Sequence, residues 1–253
     1  MDTGATCSVF FPLSGLMPSK KILLSIFLIF FFTSMCLSQN DNPELNTLQK
    51  LDSISHSPSI SKHFAKLYYN TTVVADNFFA DSDEKVRSFM QQLEDRFGDY
   101  FFEAAHLYET GKPIPEVWSA YFSDTTLSET QYFLLGANAH INGDIWKALT
   151  TEFSLQDIQE NKQGYFSFYK GLKKIYADVY ETAISSAKKA DLLHHLTFGF
   201  DRIYGKIMLK RWRKRQMQLA ILYFTNKPKF ERKLKSVKSK MNRLNRMICK
   251  YLS

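Results

Sequence analysis

Along most of this chain apolar residues recur at spacings of three and four, the period of a helix with one buried face. A polar stretch with Pro43 leads into a short helix expected over residues 44–54. Ser57-Pro58 supplies an N-cap with proline at the first helical position, and Ile60, Phe64, Leu67, Tyr68 and Phe78 carry the next stripe toward residue 79. The acidic cluster Asp81-Ser82-Asp83-Glu84 suits the positive end of a helix. Val86, Met90, Leu93, Phe97, Phe101, Ala104 and Tyr108 form that helix's apolar face and Gly111 stops it, with Asp95, Asp99 and His106 projecting the other way. Pro113 and Pro115 precede a short helix over 116–122 that carries Trp118. Thr126-Leu127-Ser128-Glu129 reads as a capping box, starting a central helix near Leu127. After a connection over 152–164, Tyr165, Phe168, Leu172, Ile175, Tyr176 and Val179 mark another helix. Residues 191–225 read as one long helix, with Leu192, Leu196, Ile203, Ile207, Leu219 and Leu222 inward, broken by Asn226-Lys227-Pro228. The last helix places Phe230, Leu234, Val237, Met241, Leu244 and Ile248 on a seam flanked by Lys and Arg. The fold class that follows is all-α, a multi-helix bundle with a buried central helix and a basic C-terminal helix.

The central helix carries the candidate chemistry. At about 100° per residue, Phe133, Ala137, Ile141 and Ala148 share a face, and His140 and Asp144 fall on it. A histidine and a carboxylate one turn apart within an apolar stripe need hydrogen bonds, each other, or a metal ion. Asn138 and Asn142 flank the pair as amide donors for a polar ligand or as cross-links to other elements. Gly136, Ala139 and Gly143 line another side, where a neighbouring backbone is expected to come close. Leu135 and Trp146 cover what is left, so this helix is expected to run through the middle of the bundle.

Composition fits helices: Phe (22) and Tyr (13) are plentiful, Gly (10) and Pro (7) scarce. The chain holds 33 basic and 25 acidic residues, and from Lys206 onward there are 16 basic residues against the single acid Glu231, which leaves 17 against 24 before it. An acidic body therefore precedes a basic tail that includes the knot Lys210-Arg211-Trp212-Arg213-Lys214-Arg215. Lys20-Lys21 and the apolar run from Ile22 to Phe32 have the form of a signal peptide, with cleavage expected after Ser38. The run is short of the roughly 20 apolar residues of a membrane span, although reading on to Leu37 makes an anchor the alternative, and acylation of Cys36 a further one. Met17-Pro18-Ser19-Lys20-Lys21 looks more like a natural start than Met1, which would make residues 1–16 an upstream extension. Cleavage would leave Cys249 alone, so the exported chain relies on packing rather than disulfides. The expected divisions are a leader over 1–38, a linker and short helix over 39–56, a helical domain over 57–225 and a basic amphipathic helix over 226–253.

No G-x-S-x-G, Walker-type glycine loop, G-x-G-x-x-G or H-E-x-x-H is present, which removes weight from serine hydrolase, nucleotide-binding and zincin functions. The segment 64–181, with Trp118 and above all Asn138-Ala139-His140-Ile141-Asn142-Gly143-Asp144, resembles an uncharacterised all-helical bacterial domain family. That resemblance implies a helical fold and no activity. His140-Ile141-Asn142-Gly143-Asp144-Ile145 is also similar to the H-x-x-G-D context of zinc-dependent phospholipases C and single-strand nucleases, which implies a divalent metal such as zinc on His140 and Asp144. Asp144 would then be a ligand or general base, acting on a water acidified by the ion. A second H-x-x-x-D is absent and zinc wants three or four donors, so a third is needed; His195 is a candidate by residue type, as are His194, Glu103 and Asp201. For the tail, export argues against nucleic acid and for an anionic membrane surface or an acidic protein, with Trp212 as an interfacial anchor or a core edge; the other expectation is that its seam docks on the chain's own acidic body.

Overall fold

The structure, a computed structural model, describes residues 46–80, 82–168 and 200–251, with side chains described outside 77–80, 200–209 and 251. Leu45–Ser253 form one compact unit. The described residues are helical and carry no strand, the all-α bundle that the periodicity predicts. The expected leader over 1–38, the residues Leu172 to Val179, Leu192 and Leu196, and His194 and His195 lie outside the described residues, as do the side chains of Phe78, Asp201, Ile203 and Ile207.

Helix α1 (Thr47–Ser55) starts from a capping box in which Asn46 and Gln49 exchange hydrogen bonds. It packs on α2 (Ser61–Ala80). Helix α2 begins three residues later than its proline predicts. Ser57 donates to the Ile54 carbonyl at 2.8 Å and so finishes α1 rather than capping α2. Asp83 caps α3 (Glu84–Glu109) and Gly111, at φ 65°, ends it as expected, because only glycine takes that backbone region without strain. Asp95 and His106 face solvent. A 3₁₀ turn (Glu116–Trp118) and the short α4 (Ser119–Phe122) carry the prolines' chain across to the central helix.

That central helix has three parts: α5 (Glu129–Ala139), a π turn (His140–Asp144) and α6 (Ile145–Glu152). Its start is two residues beyond the expected one. The capping box pairs Ser128 with Gln131, while Thr126 is held by the Asp124 carboxylate. The expected connection over 152–164 is instead built of α7 (Leu155–Glu160), capped by Ser154, and helical residues 162–168. Ser154 and Asp157 form a capping box there, a signal the apolar periodicity did not carry. Helix α8 (Phe200–Thr225) and α9 (Lys227–Tyr251) complete the order, parted at Asn226.

The π turn sits at the middle of the bundle, touched by α3, α8, α9 and the 3₁₀ turn, with α2 on α5 and α8 on α6. Burial on all sides explains why this helix is apolar nearly all round. Rings of Phe64, Phe101, Trp118 and Tyr121 interlock beside it, largely edge to face. The small residues admit side chains rather than a backbone. A methyl on Gly136 would lie 2.3 Å from the Phe64 ring, and one on Gly143 would lie 2.8 Å from Val117.

Candidate functional site

His140 is 3% exposed and Asp144 1%, so the pair lies on the buried side that the spacing predicts. The turn between them is π rather than α, a wider coil that is favoured at functional sites. Widening displaces carbonyls from the regular helical ladder, and Gln216 of α8 donates to the Asn142 carbonyl at 3.1 Å. His140 Nδ1 lies 3.8 Å from Asp144 Oδ2, beyond hydrogen-bond reach. Asp144 has other partners: Trp118 Nε1 donates to Oδ2 at 2.9 Å, and Lys147 reaches Oδ1 at 3.4 Å. Trp118 is thus the hydrogen-bond donor that holds this carboxylate.

The His140 ring is stacked on Phe97 at 3.3 Å between centroids and met edgewise by Tyr68 and Phe64. Neither of its nitrogens has a hydrogen-bond partner. Burial pushes its pKa down to about 4, against the opposing pull of Asp144 and with help from the Arg213 charge. At neutral pH it is an uncharged ring, able to donate at one nitrogen and accept at the other.

Beside this ring is a cavity of about 80 Å³. Phe64, Tyr68 and Thr71 of α2 line it, with Glu94 and Phe97 of α3, Ala137 of α5, Ile141 of the π turn, Phe168, and Arg213 of α8. Glu94 is 8% exposed and its Oε1 has no partner. Burial raises its carboxyl to about 7, with Arg213 pulling it back down and Asp95 and Asp76 adding to the rise. Two buried polar groups thus face one small, mostly aromatic space, each with capacity left over. Glu94 is a site residue that the periodicity does not single out, although at about 100° per residue it falls beside Phe101 on the α3 stripe, a carboxylate among large apolar residues.

Among the described residues no group of three His, Cys, Asp or Glu could hold an ion. Glu103 is exposed, and His195, with His194, lies outside the described residues. With both Asp144 oxygens engaged by donors and His140 packed among aromatic rings, the described donors do not fit a zinc centre. Asn138 and Asn142 do not point to a ligand either. Asn142 Nδ2 donates to Asn138 Oδ1 at 2.8 Å, and Asn138 Nδ2 donates to Asn245 Oδ1 and the Met241 carbonyl, a buried chain of amides that ties the central helix to α9. Trp212 is 8% exposed and belongs to the core, which removes it as a surface anchor, and Arg213 beside it is buried as well.

Residues 45–251 match a family of unknown function, DUF5995. The chain belongs to this family. The match takes in the basic C-terminal helix, which the resemblance over 64–181 had left outside, and the amide chain from Asn142 to Asn245 gives the structural reason: α9 is a wall of the domain. No curated protein and no solved structure matches the chain.

Proposed function

We propose that this DUF5995 protein is an exported helical binding protein whose ligand is a small uncharged molecule seated in the cavity beside His140. The observation that carries this reading is the unpartnered state of His140 Nε2 and Glu94 Oε1 on two buried side chains that line one cavity. Buried polar atoms left without hydrogen bonds cost about 1–3 kcal/mol each, so a molecule that satisfies them is favoured. A volume of about 80 Å³ holds roughly five water-sized groups. Near neutral pH the Glu94 carboxyl is partly ionised and shares this space with the Arg213 guanidinium, which offsets part of the Arg213 charge and removes the need for a full counter-charge on the ligand. Rings on α2 and α3 suit a short hydrocarbon body, and the polar atoms suit a hydroxyl or amide head. The leader Lys20 to Phe32 supports export.

The test is thermal unfolding with n-butanol and propionamide at millimolar concentration, for the wild type and for Ala137→Trp, which fills the cavity from its wall. A dose-dependent rise in Tm that the Trp variant abolishes is expected. No rise with either molecule, or a rise equal in both proteins, would overturn the reading.

A further inference from the structure

We infer that the outward face of α9 is a docking surface for an anionic phospholipid bilayer. Helix α9 is seated on the domain by Phe230, Val237, Met241 and Ile248, all buried. At about 100° per residue those four fall within 40° of arc. Lys229, Arg232, Lys235, Lys240, Arg243 and Arg246 are exposed and fall within about 140° on the opposite side. No acid lies in that arc; Glu231, the one carboxylate of the helix, falls outside it. The link to the acidic body uses a different residue, Lys238, which meets Glu116 at 2.6 Å from the flank. Among the described residues no ion pair ties these six cations to the body, so the seating of α9 does not account for their sign.

The shape and the remaining exposed groups fit a membrane better than a soluble polyanion. A straight helix of 25 residues extends about 37 Å, long enough to lie across several headgroups. Where α8 turns into α9, Tyr223 and Phe224 are 40% and 41% exposed, with the Lys227 ammonium over the Tyr223 ring. Met247 is exposed near the other end. Met247 falls on the cationic arc, and Tyr223 and Phe224 stand at the end of the helix, with Tyr223 against Phe230; aromatic and thioether groups beside cations suit the boundary between headgroup and hydrocarbon. Because the apolar seam of α9 is already buried in its own domain, the contact is an electrostatic one on the surface and not an inserted helix.

The experiment is sedimentation of the full chain with vesicles of phosphatidylcholine alone or with 30% phosphatidylglycerol, at low and high salt, for the wild type and for K235E/R243E/R246E. The leader, with Lys20 and Lys21, is common to wild type and variant, so the triple reversal isolates the contribution of α9. Binding at least tenfold tighter to the anionic vesicles, weakened by salt and lost in the variant, is expected. Equal binding to both lipids, or binding unchanged by the three reversals in a variant whose circular dichroism matches wild type, would overturn the inference. So would capture by a 20-base-pair DNA or by polyglutamate without capture by the anionic vesicles. Y223S/F224S provides a second reading in which anionic binding weakens while its salt dependence persists; unaltered affinity there counts against the bilayer and for a simple polyanion site.

Discussion

Single residues at the cavity set two opposed proton equilibria. Glu94 titrates near 7 in the folded chain against an ordinary 4.5, so the folded state holds a proton that the unfolded state loses over that interval. Stability from this group is complete below pH 4.5 and is lost as pH rises to 7, on the order of 3 kcal/mol in all. His140 is held at about 4 against an ordinary 6.5, so here the unfolded state binds the extra proton and stability rises between pH 4 and 6.5. The two slopes nearly cancel between pH 4.5 and 6.5. Urea unfolding across pH should therefore give Glu94→Gln a steeper rise over that window than wild type, and His140→Gln a fall; parallel curves would place neither group in the cavity wall as described. Gly136 supplies a second expectation. A methyl 2.3 Å from the Phe64 ring forces that ring to move, so Gly136→Ala should destabilise by about 1–3 kcal/mol in denaturant titration.

At the scale of elements, the π turn and the buried amides decide how the central helix meets its neighbours. Asn138 bonds to Asn142, Asn245 and the Met241 carbonyl in a fully buried setting. Asn138→Ala strands those partners and should cost about 1–3 kcal/mol for each group left unsatisfied. Amide exchange in α9 should accelerate more than in α3, which the change does not touch; equal acceleration would show that the amides carry no specific link. This element also marks the limit of what the sequence discloses. The buried face of His140 and Asp144 follows from period alone, and so do the apolar faces of α3 and α9. The π turn does not, since five residues His140–Asp144 read equally well as α, and a wide turn depends on Gln216 arriving from 74 positions away to satisfy a carbonyl. Helix starts shifted for a similar reason. Ser57-Pro58 and Thr126 are sound local signals that lost to Ile54 and Asp124, neighbours competing for the same hydroxyls. Arg213, charged and in a basic knot, gave no hint of burial because its surroundings come from α2, α3 and residues 162–168.

For the whole molecule, the split between acidic body and basic tail suggests two modules, and the packing joins them into one. Burying the side chains of Phe230, Val237, Met241 and Ile248 contributes about 1.5–3 kcal/mol each at most. The sum, on the order of 6–12 kcal/mol, is comparable to the entire stability of a domain, about 5–15 kcal/mol. Removing α9 would also uncover Leu219 and Trp146, which pack against its seam, and would leave Asn138 and Gln131 without the Asn245, Met241, Ile248 and Cys249 acceptors they now use. A chain ending at Asn226 should therefore lose its cooperative urea transition and its near-ultraviolet circular dichroism, instead of persisting as a folded body without its basic arm. The triple reversal K235E/R243E/R246E, which alters the outward face alone, should keep both signals. If the shortened chain unfolded cooperatively with an unchanged midpoint, α9 would be an appendage, and its charge would need to be explained separately from the fold.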